Sequence, residues 1–394
     1  MPDKKEERSA GLYDYLNWRG DISFELLPPC EVDNLIFSII AYVDFSDIVP
    51  EELNYAKKPS VLLNATKSFL RARSGILRDL GLMIPRETVT LLVRAAKTAR
   101  FGLCRPFCFV NRVCDEEQKQ FSAISFMLPG GDTFVTFRGT DDTIIGWKEN
   151  FNMTFMHPVP AQTEALLYLE NIARITTGKL YVGGHSKGGN LAVYASVKAC
   201  ERTRERIVAV YNNDGPGFDR EFIESEDYLA MSQRIHTLVP QSSVVGMLLE
   251  HEERYTVVKS TSSGIMQHNG LTWSVMGGKF IHLDSIDDSS KLLDTSLKDW
   301  LAGLSPAERE DFVEKLYEAA ISTNAKTLSE LNSDKRKLLK VWSAIDNDAR
   351  SQLIKCINIV LGRKNKEKSP KTATPEPNES TETTETNTTA TTEE

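Results

Sequence analysis

Tyr181-Val182-Gly183-Gly184-His185-Ser186-Lys187-Gly188-Gly189-Asn190-Leu191-Ala192 decides how this 394-residue chain is read. Before the serine, Lys179 to Val182 is a short apolar run suited to a buried strand. After it, Leu191, Ala192, Tyr194, Ala195 and Val197 recur at helical spacing. Between them, Gly184-His185-Ser186-Lys187-Gly188 has the G-x-S-x-G pattern of a nucleophile elbow. The spacing has a mechanical reason. A strand that turns sharply into a helix holds its serine in strained backbone space, and glycines two before and two after remove the side chains that would collide there. The serine oxygen then stands at a helix N-terminus, with the Lys187 amide aimed where an oxyanion would form. The competing reading is a glycine-rich turn whose serine only caps the helix.

Upstream, Phe121 to Leu128 reads as a strand, Pro129-Gly130-Gly131-Asp132 as a turn, and Thr133 to Arg138 as a second strand. The hairpin ends at Gly139-Thr140-Asp141-Asp142, followed by Ile145-Gly146-Trp147-Lys148-Glu149-Asn150-Phe151. Ala161 to Thr176 reads as a helix. Ile207 to Tyr211, Arg234 to Val239 and Tyr255 to Val258 read as further strands. Strand and helix alternate around the elbow, which predicts right-handed crossovers in a mostly parallel sheet.

Phe137-Arg138-Gly139-Thr140, a tryptophan in a short polar-aromatic stretch, and Gly-His-Ser-x-Gly-Gly-Asn about 40 residues later resemble the class 3 (fungal-type) lipases. More closely, the chain resembles a bacterial family of lipase-like α/β-hydrolases described mainly as a domain of unknown function. The resemblance covers roughly residues 31–276, and the motif pair in that order is far more specific than either half. It implies an α/β-hydrolase fold with a mostly parallel central sheet flanked by helices. It also implies that Thr140 supplies an oxyanion-hole donor, with the Lys187 amide as the second. The competing reading of Phe137 to Thr140 is a strand end and a polar turn.

A nucleophilic serine needs a base, and the base needs an orienting group. Of the six histidines, His185 is built into the elbow and is expected to point away. His236 lies within a strand, His251 sits in a charged run, and His157 precedes the elbow, whereas this fold places its base last in chain order. His282 follows a short strand and stays open. His268 is the leading candidate: it lies in a loop after the last clear strand and shortly before Trp273, as the matching histidine does in the resembled family. In class 3 lipases the acid follows the strand matched by Arg234 to Val239, and this sequence continues Pro240-Gln241-Ser242-Ser243-Val244-Val245-Gly246 without a carboxylate. Either the acid comes from elsewhere or the enzyme is weakened. Asp214 offers the first: it ends the strand after the elbow helix, and Asn213 to Phe218 resembles the acid-bearing turn of pancreatic-type lipases. Asp219 stands behind it, and a turn with a capping aspartate is the plainer reading. Ser242 and Ser243 are alternatives for orienting the histidine or contacting a ligand.

Hydrophobic content of 41%, net charge of −8 and a pI near 5.5 fit a globular protein and argue against nucleic-acid binding. Six scattered cysteines without a C-x-x-C pair predict free thiols in a reducing cytosol and no metal site. No cofactor is expected. No signal peptide is visible, and the longest apolar run, Asn34 to Val43, is too short to span a bilayer. Glu31 opens a helix with Leu35, Ile36, Ile39, Ile40 and Val43 on one face. Its polar face carries acids and no lysine or arginine, which favours core packing over a membrane surface. Two more helices are expected near Ser60 to Arg73 and Thr88 to Phe101. After Leu301 the strand texture ends. Ser305-Pro306-Ala307-Glu308 and Thr327-Leu328-Ser329-Glu330 are capping boxes, the second opening a helix from Leu331 to Ile345, and a third helix fits Ala349 to Leu361.

The expected organisation is an N-terminal arm (1–30), a lipase-like α/β-hydrolase domain (31–300), a helical C-terminal segment (301–362) and a low-complexity, disordered tail (363–394). The expected function is cytoplasmic serine hydrolysis of a small-molecule or lipid carboxylic ester by Ser186, His268 and Asp214 through an acyl-enzyme, with Thr140 and the Lys187 amide holding the oxyanion. One rival is a weak or inactive hydrolase fold that works as a scaffold, with the C-terminal helices binding a protein partner. Another transfers the acyl group to an acceptor other than water. Asn152 to Pro160 is a small lid or only a connector.

Overall fold

Runs such as Phe134-Val135-Thr136-Phe137 and Ile207-Val208-Ala209-Val210 are β-branched and aromatic, and they form the sheet. The structure is a computed structural model that describes residues 9–72, 87–243, 245, 246, 249 and 255–360. Eight strands pair in the order β1 (Arg105–Cys114), β2 (Lys119–Met127), β3 (Thr133–Phe137), β4 (Leu180–His185), β5 (Ile207–Asn213), β6 (Ile235–Pro240), β7 (Thr256–Val258) and β10 (His282–Leu283). Between the last two in sequence, β8 (Val275–Met276) and β9 (Lys279–Phe280) make a separate ribbon. The pairings from β3 through β7 are parallel, and antiparallel pairs flank them at both edges. This is an α/β-hydrolase architecture.

Strands β3 to β6 are laid down in sequence order. Crossovers of one hand then put their helices on one face. Pro160–Ile175 and Lys187–Lys198 indeed share a core with Val135, Phe137, Val182 and Val210. Alternate residues of the same strands, Phe134, Tyr181 and Tyr211, point the other way onto Glu31–Ile40. Every residue of that helix after Glu31 is buried, as its acid-only polar positions predict. Its Asp33 takes both Arg100 Nε (2.8 Å) and Nη2 (2.5 Å) in a fully buried bidentate pair. In the arm, Leu12–Arg19 is a short helix anchored by Leu12, Tyr15 and Leu16.

Some boundaries differ from expectation. Strand β1 was not foreseen; a bulge between Phe107 and Val110 breaks its alternation. The helix expected over Thr88 to Phe101 is two, Glu87–Ala96 and Ala99–Gly102, because the Thr98 hydroxyl caps the second by accepting from the Phe101 amide. The helix expected from Leu331 to Ile345 is also two, Leu328–Ser333 and Lys335–Ala344, since the Asp334 carboxylate accepts from the Arg336 amide and starts a new N-terminus. The tail from 363 lies outside the described residues, as does His251.

The C-terminal helices pack on the segment between β3 and the elbow. Phe312 and Val313 of Pro306–Ile321 meet Phe151, Phe155 and Trp300. Lys148 pairs with Glu314 and lies 4.2 Å from the Tyr317 ring centroid. The Ile144 amide donates to the Lys326 carbonyl (3.0 Å), and the Leu328 amide to that of Asp142 (2.9 Å). No helix among the described residues is long and apolar enough to cross a membrane.

Candidate active site

Strand β4 ends at His185, and Ser186 begins the turn into the helix Lys187–Lys198 with φ 58° and ψ −135°. Few residues other than glycine adopt such a backbone. The serine hydroxyl makes no capping bond to the helix, so the capping alternative does not describe this turn. A Cβ on Gly184 would stand 2.2 Å from the Gly188 carbonyl group, which is why the tight turn needs a glycine there. The turn is tied to the next strand by the Ser186 amide, which donates to the Asn213 carbonyl at 2.9 Å.

Asp214 follows β5 directly. It also has a left-handed backbone, φ 52°, and is fully buried. Its amide donates to Leu238 of β6 (2.8 Å). Its Oδ1 accepts from the Ser243 hydroxyl and from the Gly246 amide (3.1 Å), and its Oδ2 lies 2.6 Å from His268 Nδ1. A carboxylate only accepts, so His268 donates to it from Nδ1–H and its Nε2 points away from Asp214. Sequence reasoning found no carboxylate after β6. That position is filled by Ser243, which bonds to a carboxylate supplied by β5.

His268 ends the 3-10 turn Gly264–His268, with its side chain 14% exposed. Two groups fix its backbone. Trp273, fully buried, donates through Nε1 to the Gln267 carbonyl (2.9 Å). His185 Nε2 lies 2.7 Å from the His268 carbonyl oxygen and therefore donates to it. His185 Nδ1 is then an acceptor for the Tyr42 hydroxyl at 3.1 Å. Burial, and secondarily the neighbouring His268, depress the His185 pKa to about 3, so it is neutral and keeps this tautomer. The two imidazole centroids are 4.6 Å apart. His185, expected to point away, instead supports the His268 backbone. Its identity gave no sign of the contact, because the 3-10 turn it supports lies about 80 residues further along.

The third wall is the turn after β3. A Cβ on Gly139 would come within 3.0 Å of the Ser186 Cβ and 2.6 Å of the His185 carbonyl oxygen, so this turn presses directly on the elbow. Thr140 is buried, and its Oγ1 donates to Asn150 Oδ1 (2.8 Å) on the helix Ile144–Asn152. The Lys187 side chain runs inward. Its Nζ donates to Gln120 O (2.7 Å), Gln120 Oε1 (2.7 Å) and Glu149 Oε2 (2.8 Å), which uses all three of its hydrogens. Glu149, fully buried, also accepts from the amides of Gln120 (3.1 Å) and Ala161 (2.9 Å). One ion pair thus ties the elbow to β2 and to the helices on both sides of the Asn152-to-Pro160 connection. The sequence named Lys187 only for its amide.

Other candidates fall elsewhere. His157 faces Asp219 (3.4 Å), and Asp219 caps the helix Arg220–Ile223. His236 stacks on Tyr211, and His282 pairs with Glu31 (2.9 Å). Ser242 donates to Asp287 Oδ2 (2.7 Å) and not to Asp214. In the connection between Asn152 and Pro160, Arg309 donates to the Thr154 carbonyl (2.6 Å) and Phe155 packs under the C-terminal helices. Among the described residues, no group of three or more His, Cys, Asp or Glu side chains is placed to hold a metal ion.

The family described as Mbeg1-like matches residues 95–318, more than half of the chain. The chain belongs to the Mbeg1-like family. The matched span holds β1 through β10, the elbow, Asp214 and His268. No curated protein matches the chain. Among solved structures, the native Rhizomucor miehei lipase propeptide complex is similar at 16% identity, over 40% of this chain and 57% of that one, with a TM-score of 0.30. The crystal structure of M37 lipase is similar at 15% identity, over 54% of this chain and 67% of that one, with a TM-score of 0.32.

Proposed function

We propose that this Mbeg1-like protein is a serine hydrolase of carboxylic esters, lipase- or esterase-like, with a site of the class 3 lipase kind in its 31–300 domain. The observation that carries the reading is the 2.6 Å contact between His268 Nδ1 and the buried Asp214 carboxylate, in a chain whose elbow serine is held at φ 58°. In this reading His268 Nε2 takes the Ser186 hydroxyl proton as Oγ attacks the ester carbonyl. Asp214 holds the imidazole in the required tautomer and stabilises the imidazolium. The Lys187 amide, at a helix N-terminus, donates to the oxyanion. Thr140 is the second donor. Turning the Asn150 amide through 180° lets its Nδ2 donate to Thr140 Oγ1 and frees the threonine hydrogen for the oxyanion. Collapse expels the alcohol, protonated by His268, and water activated by the same base releases the acid.

The test is labelling of purified protein by a fluorophosphonate serine probe, with Ser186→Ala, His268→Ala and Asp214→Asn beside wild type. Labelling that disappears in the first two and falls sharply in the third supports the reading. Well-folded wild type that stays unlabelled, with or without detergent, rejects it in favour of a scaffold.

A further inference from the structure

The helix Lys335–Ala344, Lys335-Arg336-Lys337-Leu338-Leu339-Lys340-Val341-Trp342-Ser343-Ala344, carries four cations and no acid in a chain whose net charge is −8. At 100° per residue, Leu338, Trp342, Lys335 and Leu339 fall within about 100° of one another. That stripe faces solvent: Leu338 is 41% exposed, Leu339 67% and Trp342 41%. Lys335, Arg336 and Lys340 are exposed too; Arg336 borders the stripe, whereas Lys340 lies toward the far side and donates to the Ser322 carbonyl. The opposite side is the packed one, where Val341 contacts both C-terminal clusters. The acid closest in sequence, Asp334, is the N-cap of the same helix and also lies 3.3 Å from Arg336 Nε, a solvent-exposed pair that is worth little. Arg350 lies 5.7 Å from the Trp342 ring centroid and donates to its carbonyl (2.9 Å), adding a further cation at the C-terminal end.

We propose that this helix docks the protein on an anionic lipid surface. Its composition separates it from Glu31–Ile40, whose apolar face is buried and whose charges are all acidic. A short helix that exposes leucine and tryptophan between lysines and arginines suits the boundary between headgroups and acyl chains, where the apolar side chains enter and the cations meet phosphates. Charge decides the occupant. An acidic protein is repelled from an anionic bilayer through most orientations, and this helix, with four cations and no acid among its ten residues, is the face that can be drawn to one. The inference stands independently of the serine chemistry.

The experiment is co-sedimentation of the full chain carrying Ser186→Ala with phosphatidylcholine vesicles, with and without phosphatidylglycerol, so that lipid turnover plays no part. The chain is expected to bind vesicles containing phosphatidylglycerol, and to release them at high salt. Leu338→Ser/Leu339→Ser/Trp342→Ser and, separately, Lys335→Glu/Arg336→Glu should each weaken binding at least about tenfold. Brominated lipid should quench a tryptophan signal that disappears in Trp342→Phe. No binding to anionic vesicles, or binding indifferent to both variant sets, overturns the proposal. Loss through the charge variant alone overturns insertion of the stripe. A concentration-dependent increase in mass, abolished by the Leu338/Leu339/Trp342 variant, shows instead that a second copy covers this face and also overturns it.

Discussion

His185 predicts a measurable acid sensitivity. In the folded chain its pKa is depressed to about 3, first by burial and then by His268, against an ordinary value of 6.5. Between those values the unfolded chain binds a proton that the folded chain refuses, so stability is complete above pH 6.5 and is lost as pH falls. For one site with these two pKa values the loss relative to pH 8 is about 2 kcal/mol at pH 5 and about 3 kcal/mol at pH 4. His185→Gln removes the titration and keeps an amide hydrogen that reaches toward the His268 carbonyl. At pH 8 it should be less stable than wild type, because one amide cannot reproduce both the Tyr42 and the His268 contacts. The gap should then shrink by about 2 kcal/mol at pH 5. Urea unfolding followed by circular dichroism at pH 8, 6.5 and 5 measures this. Every other group is common to both proteins, so the change in the gap with pH reports His185. A gap that is the same at pH 8 and pH 5 refutes a neutral, buried His185.

The Lys187–Glu149 pair makes a different prediction. Lys187→Met leaves a buried carboxylate facing two amides and no cation, which should cost about 3–5 kcal/mol and lower Tm by on the order of 10 °C in a thermal melt. Lys187→Met/Glu149→Gln should be more stable than the single variant, since the uncompensated charge is gone. Asp214→Asn should lower kcat/KM on a soluble ester by about a thousandfold or more, chiefly through kcat, because the asparagine amide no longer fixes the Nδ1–H tautomer. Ser243→Ala removes one bond to the same carboxylate and should cost only about tenfold in the same assay.

The parts of the candidate site that are local in sequence are legible in the sequence itself. Gly184, Ser186 and Gly188 form the elbow within five residues, so their spacing states the backbone problem and its solution. Asp214 and His268 were readable more weakly, by position relative to strands. Tertiary contacts between distant segments were not readable. No pattern in residues 119–149 announces that Gln120 and Glu149 receive the Lys187 ammonium. Nor does Tyr42 announce that it fixes the tautomer of His185. In the fold, β1 was missed because its bulge spoils the two-residue period, and the Asp334 break because a cap inside an otherwise helical run looks like one more polar surface residue. The missing acid after β6 was a true observation whose consequence depended on packing. Ser243 there is a partner of Asp214 rather than a substitute for it.

Strain at Ser186 offers the last prediction and bears directly on why a serine is there. At φ 58° and ψ −135° a non-glycine residue costs about 1–3 kcal/mol, and the hydroxyl returns no capping bond to the helix. Glycine would relieve the strain while adding about 0.4–1 kcal/mol of unfolded-state entropy to overcome. Ser186→Gly should therefore be more stable than wild type by about 1 kcal/mol, and Ser186→Ala, which keeps the Cβ, should gain nothing. Chemical denaturation of the three proteins separates backbone strain from loss of the hydroxyl. If Ser186→Gly is no more stable than Ser186→Ala, the turn is unstrained and the serine is explained as an ordinary turn residue. If it is more stable, the fold alone would do better without this side chain. What then accounts for the serine is the nucleophile role proposed for it.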